Sequence, residues 1–278
     1  SELDATIVKI PSCRTVLYLM ENQPWEMAFI QLWKQRRSEP LVGVPHSSIR
    51  YWDLRYFTDS DSYHSDLASH PPSPDTVAIN GPAALRSLQV EGIPATQMTE
   101  VEALSYLYLD EVQPTVSISG VTSAATRLLV LGDFFHHQNT ALLNMLQQSL
   151  GRTSRNISIT VKPHPLCLID HQEFPLLQFH IDRRPLAEQL SECDFVLATN
   201  GTSASAEAYQ CGIPVVTVLN GDTFNFSPLR NVPGAVFVES PAHLTEVLDH
   251  LERLNLEPRS DFFHIDKSLT RWKHLLSI

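Results

Sequence analysis

The chain has 278 residues, of which 43% are hydrophobic and 18% charged, with a formal net charge of -11. That length and balance suit a folded soluble protein of one or two domains. The acidic excess argues against general nucleic-acid binding, which needs a basic footprint.

The first half alternates short apolar runs with amphipathic ones. Thr15–Met20 reads as a buried strand, Pro24 stands where a helix begins, and Trp25–Lys34 continues at helical spacing. Leu41–Val44 reads as a second strand ending at Pro45-His46-Ser47-Ser48, and 58–74 as a long polar loop. Thr76–Ile79 is expected as a strand, Pro82–Val90 as a helix and Gln97–Ala103 as a fourth strand. Such alternation implies parallel βαβ units.

From Asp110 to Arg127 no helical face is visible, which places a connection between domains there. The second half then repeats the theme. Strands are expected at Leu128–Leu131, Ile157–Val161, Leu177–Ile181, Phe195–Ala198, Val215–Leu219 and Ala235–Val238. Helices are expected at Asn139–Leu150, Pro185–Ser191, Ser203–Gln210 and Pro241–Leu254, with Gly212 closing the third. A last helix near Leu269–Leu276 is free to fold back on the first half. The expected architecture is α/β, with two Rossmann-like domains facing a cleft. The first domain, 1–110, is short and lies on the acceptor side; 111–126 is a linker, and 127–278 forms the second domain.

Ligands of open parallel sheets lie outside the carboxyl ends of the strands, and the polar motifs cluster at those ends. His164 is held between two prolines in Lys162-Pro-His-Pro165, suited to donating to a phosphate oxygen. Asn200-Gly201-Thr202-Ser203 precedes a helix and offers hydroxyl donors where an anion is favoured, although plain helix capping explains the same residues. Glu207 either reaches a ribose or faces solvent. Gly132-Asp133 forms a tight turn for a diphosphate or acceptor, and Asp222 and Asn225 offer hydrogen bonds to a sugar. In the first half, Glu21 ends the first strand and is the candidate general base for an acceptor hydroxyl. His46, Arg50 and Arg55, interleaved with Trp52 and Tyr56, suit sugar or acceptor contact.

No metal or cofactor is expected. The twelve histidines include no HExxH motif, and neither GxGxxG nor GxxxxGK[ST] occurs. Cys13, Cys167, Cys193 and Cys211 lack CxxC spacing and read as buried, reduced thiols. The first residues lack the basic start and apolar core of a secretory signal, and no apolar run approaches the roughly 18–20 residues that span a bilayer. A cytoplasmic protein is expected, with peripheral attachment to the inner face of the membrane or to partner enzymes left open.

The tract from Thr202-Ser203 through Glu207 to Gly212-Ile-Pro-Val-Val resembles the nucleotide-sugar-binding domain of GT-B-fold glycosyltransferases. Lys162-Pro-His164-Pro165 resembles the His-Pro motif of bacterial sialyltransferases and Kdo transferases, which use CMP-activated sugars; Thr202-Ser203 stands where that group has Ser-Ser. The first half resembles bacterial surface-carbohydrate biosynthesis proteins through Glu21-Asn-Gln-Pro-Trp-Glu26, His46-Ser47 and Trp52-Asp-Leu-Arg-Tyr-Phe57. The resemblance implies a metal-independent transferase moving a sugar, a CMP-linked ulosonic acid above all, from a nucleotide donor to a glycan or glycolipid acceptor. Alternatives left open are another GT-B-fold enzyme, such as a sugar-nucleotide epimerase or a glycerophosphotransferase, and a non-catalytic nucleotide-sugar-binding module.

Overall fold

A computed structural model describes residues 2–45, 47–50, 53, 55–56, 71–90, 93–114, 125–221, 223–254 and 262–277. The expected loop over 58–74 and connection over 111–126 fall largely outside these residues. The chain divides into two compact units, Ser1–Leu107 with Asp261–Ile278, and Tyr108–Ser260.

The first unit opens with a helix that the sequence reading did not anticipate, α1 (Glu2–Lys9). Acids in its first turn and Lys9 in its last complement the helix dipole, and it buries Ile7. Ile7 packs with Ile30, Trp33 and Leu41. The strands β1 (Val16–Leu19), β2 (Leu41–Val44), β3 (Thr76–Ile79) and β4 (Met98–Glu100) form one parallel sheet in the order β1-β2-β3-β4. Between them run α2 (Pro24–Arg36), which starts on its proline, and α3 (Pro82–Val90). β4 is shorter than the expected 97–103. Val101 N still bonds to Ile79 O, but Ala103 N turns to His264 O, and a 3-10 helix follows over Leu104–Glu111.

That turn to His264 shows where the C-terminus goes. His264 N donates to Asn80 O at 3.0 Å, so the returning segment crosses the end of β3. It passes so close to Gly81 that a Cβ there would stand 2.3 Å from the Phe262 carbonyl oxygen. The last helix, α8 (Thr270–Leu276), then buries Trp272 with Val42, Ala78 and Val101. Glu102, buried, accepts the amides of Arg271 (2.8 Å) and Trp272 (3.0 Å), which have no partner within the helix. The boundary 127–278 drawn for the second domain is therefore corrected: 262–277 belong to the first unit, because Trp272 and Glu102 anchor them there.

The second unit is a six-stranded parallel sheet. Its strands are β5 (Thr126–Leu131), β6 (Ile157–Lys162), β7 (His180–Ile181), β8 (Phe195–Thr199), β9 (Val215–Val218) and β10 (Val236–Val238), ordered β10-β9-β8-β5-β6-β7. The helices are α4 (His136–Leu150), α5 (Leu186–Glu192), α6 (Ala204–Gln210) and α7 (Pro241–Asp249). Leu128, Val130, Leu142, Leu146, Phe195 and Val216 form the centre of its core; full burial of each such side chain stabilises by about 1.5–3 kcal/mol. β7 has two residues, not the expected 177–181. Leu177 is buried, but its amide closes a turn onto Phe174 O, leaving His180 and Ile181 to pair with Thr160 and Val161. α7 stops at Asp249 rather than Leu254, and a 3-10 turn over Leu251–Arg253 follows. Gly212, at φ 75°, takes the left-handed conformation that ends α6.

Candidate functional site

In the second unit the chain leaves β5 in one direction to build β6 and β7, and in the other to build β8, β9 and β10. The point of reversal lies between β5 and β8, and in such sheets the crevice outside that point is where ligands bind. Three polar loops end there, and contacts make them continuous. Gly132, after β5, donates its amide to Lys162 O at 2.9 Å. A Cβ on Gly132 would meet His164 N at 3.1 Å and Pro163 Cα at 3.2 Å, so the absent side chain lets the Lys-Pro-His-Pro loop press against it. On the other side, a Cβ on Gly201 would stand 2.6 Å from Asp133 Oδ2.

Asp133 is the brace of this arrangement. Its side chain is buried; Oδ1 accepts the Phe135 amide (3.0 Å) and Oδ2 the Thr199 hydroxyl (2.7 Å). Its own amide and carbonyl are held by the buried Asn139 side chain. Asp133, read from sequence as part of a tight turn for a diphosphate or acceptor, thus ties the loop after β5 to the end of β8.

His164 is half-buried at the tip of its loop, between the buried Pro163 and the exposed Pro165. The Leu166 amide donates to His164 Nδ1 at 3.2 Å. Only an unprotonated Nδ1 accepts that hydrogen, so the proton of the neutral ring sits on Nε2. Among the described residues Nε2 has no hydrogen-bond partner, which leaves it as a donor. The edge of Phe134 meets the ring at 5.5 Å and fixes its plane. Lys162 instead donates to Arg184 O at 2.5 Å, and burial holds its pKa below the usual lysine value.

After β8, Asn200 is buried and donates to Phe224 O (2.9 Å) and Thr223 Oγ1 (3.3 Å), joining this loop to the one after β9. Thr202 and Ser203 are half-buried, and neither hydroxyl has a partner among the described residues. Ser203 is the N-cap of α6 but caps it without a side-chain hydrogen bond. Both hydroxyls therefore remain available at the crevice. Glu207, in the first turn of α6, accepts a hydrogen bond from the Tyr108 hydroxyl, and burial pushes its pKa up to about 7. Asn225 turns its oxygen onto the Ser227 amide (3.0 Å), and Asp222 lies outside the described residues. Exposed Phe134, Phe135 and Phe224 stand on the same loops and were not singled out from sequence. Adjacent aromatics in apolar-flanked loops are the signal that marks them. Tyr108 had no local signal at all.

In the first unit, Asn22 adopts a left-handed φ of 53° after β1, and the amides of Glu21 and Asn22 both donate to the buried Glu26 Oε2 at 2.9 Å. This turn presents Glu21 beside Arg55, whose Nη1 lies 3.5 Å from Glu21 Oε2 and whose other nitrogens bind Asp53. Asn22 Nδ2 donates to Arg55 O at 2.6 Å. Two sequence-selected residues, Glu21 and Arg55, are thus brought together, while Arg50 contributes its carbonyl to the Asp53 amide and His46 lies outside the described residues. At the carboxyl ends of the strands a cavity of about 90 Å³ opens among Leu19, Val44, Asn80, Leu104 and Trp272. Cys167, Cys193 and Cys211 are buried, Cys13 is half-buried, and none of the four is in a disulfide. Among the described residues no cluster of three metal-ligating side chains occurs, and no helix is long and apolar enough to cross a membrane.

Two parallel-sheet α/β units, the second with its polar loops at the strand reversal, define the GT-B class of fold. Solved structures of that class match the chain. A UDP-GlcNAc 2-epimerase from Methanocaldococcus jannaschii superposes with a TM-score of 0.58 at 14% identity, covering 99% of this chain and 80% of that one. S. aureus MnaA, solved with UDP, gives 0.58 at 10% identity over 99% and 78%. The lipopolysaccharide outer core galactosyltransferase WaaB gives 0.53 at 13% over 99% and 78%. No protein-family model and no curated protein sequence matches the chain. At these identities the likeness establishes the fold.

Proposed function

We propose that the chain is a nucleotide-sugar-dependent glycosyltransferase of surface-carbohydrate assembly, with the nucleotide held at the strand reversal of the second unit. One observation carries this reading: the β6 loop, with His164 Nε2–H free to donate, and the β8 loop, with Thr202 and Ser203 hydroxyls unengaged, flank Gly132-Asp133 at the end of one strand. Three donors on the two loops that flank this strand end suit the phosphate of a departing nucleotide, and Glu207 suits a ribose hydroxyl. The chemistry is then positioning plus stabilisation of charge on the leaving group. Glu21 takes the proton of the acceptor hydroxyl, and Arg55 keeps that carboxylate oriented. The Lys-Pro-His-Pro loop favours a CMP-linked ulosonic acid as donor, and a glycan or glycolipid as acceptor.

A second reading has support in the comparisons: one of the solved structures above is a UDP-GlcNAc 2-epimerase and another was solved with UDP, so a UDP-sugar epimerase is the alternative on this fold. Calorimetric titration with CMP, UDP, GDP and TDP tests the site, and following nucleotide release with and without glycan acceptors separates transfer from epimerisation. His164→Ala is expected to weaken binding of the preferred nucleotide by about tenfold or more, the scale of a hydrogen bond to a charged group. The bare nucleoside, lacking phosphate, is expected to lose little. An unchanged nucleotide affinity in this variant removes His164 from the site.

A further inference from the structure

Glu207 presents an unusual combination. It is a half-buried carboxyl with no cation beside it among the described residues, and its hydrogen-bonding partner there is the hydroxyl of Tyr108. Tyr108 stands where the second unit begins, 99 positions from Glu207 in sequence. Tyr108 remains 38% exposed. The phenol O–H donates to the carboxylate. Burial without a compensating charge pushes the Glu207 pKa up to about 7, which makes a hydroxyl donor the stabilising neighbour for its ionised form.

Glu207 belongs to the same short helix that Thr202 and Ser203 introduce. A vicinal diol is received by a carboxylate through both oxygens, one hydroxyl on each. Tyr108 occupies Oε2. We propose that Tyr108 is a specificity-determining latch of a ribose subsite: its hydroxyl stands in for one ribose hydroxyl on Glu207, and a bound ribonucleotide displaces it. This rests on the nucleotide-binding reading above. A nucleotide with a single ribose hydroxyl uses one oxygen and leaves Tyr108 in place, whereas a full diol must remove it. The latch therefore taxes ribonucleotides more than deoxyribonucleotides.

The test is calorimetric titration of the wild type and Tyr108→Phe with UDP, CMP and their 2′-deoxy counterparts. The phenylalanine ring retains the packing of an exposed side chain. Ribonucleotides are expected to bind the variant about 3- to 10-fold more tightly, the scale of one net hydrogen bond, with 2′-deoxynucleotides unchanged. In a Glu207→Gln background the same tyrosine change is expected to lose most of its effect, because the two residues form one coupled pair. Equal or weaker ribonucleotide affinity in Tyr108→Phe, or an equal gain for both nucleotide types, overturns the latch and leaves the nucleotide site standing. Absence of binding in the wild type and every variant overturns the nucleotide reading, and the latch with it.

Discussion

Asp133→Ala is expected to lower the unfolding free energy by about 2–4 kcal/mol and to abolish measurable nucleotide binding. The carboxyl satisfies a backbone amide and a buried hydroxyl at once, Phe135 N and Thr199 Oγ1. Alanine leaves both without an acceptor, at about 1–3 kcal/mol each, and opens a void beside Gly201, whose backbone is fitted against Oδ2. The functional loss follows from position: the loops after β5 and β8 are then no longer tied to one another, and a displacement of about 1 Å at such a site is costly. Asp133→Asn keeps the shape and one oxygen acceptor, so its stability loss is expected to be smaller. Urea unfolding gives the first quantity and calorimetric titration the second. Should Asp133→Ala unfold at the wild-type midpoint with the same slope, the carboxyl is not the brace described here.

The second unit was the more legible half of the chain, for a physical reason. Strands buried on both faces read as unbroken apolar runs, and Leu128–Leu131, Phe195–Ala198 and Val215–Leu219 lie within or against the observed β5, β8 and β9. Loops at their ends declare themselves through Gly, Pro and hydroxyl residues, which is why Gly132, His164 and Ser203 stood out as candidates. Local pattern fails where long-range contacts decide. Leu177 has strand-like apolarity but spends its amide on a turn, and β4 ends because His264, far along the chain, takes its place beside Ala103. The bond from Thr199 to Asp133 and that from Tyr108 to Glu207 join residues 66 and 99 positions apart. Neither has a signature in any window of sequence. Glu26 illustrates the same point on a smaller scale: it stands in the first turn of α2, and its carboxylate shapes the turn that presents Glu21.

Glu207→Gln is expected to change the pH dependence of stability more than any other single substitution in the site. In the folded chain the Glu207 pKa is pushed by burial from an ordinary 4.5 up to about 7. Between those values the folded state binds more protons at this carboxyl than the unfolded state, so stability falls as pH rises across the window. Below it the group is neutral in both states and costs nothing; above it the full penalty, about 3 kcal/mol at most, is present. Glutamine cannot ionise. The variant should therefore match the wild type near pH 4 and exceed its unfolding free energy by up to that amount at pH 8, as measured by urea titration across the range. Nucleotide affinity should move the other way, because the ionised carboxylate is the better acceptor for ribose hydroxyls: binding by the wild type strengthens as pH rises through about 7, while stability declines. A residue kept at a cost to the fold, with opposite pH slopes for folding and binding, is what a site built for a ligand requires. Parallel stability curves for wild type and variant from pH 4 to 8 would mean that Glu207 is solvated in the folded protein, and that its hold on Tyr108 has no energetic consequence.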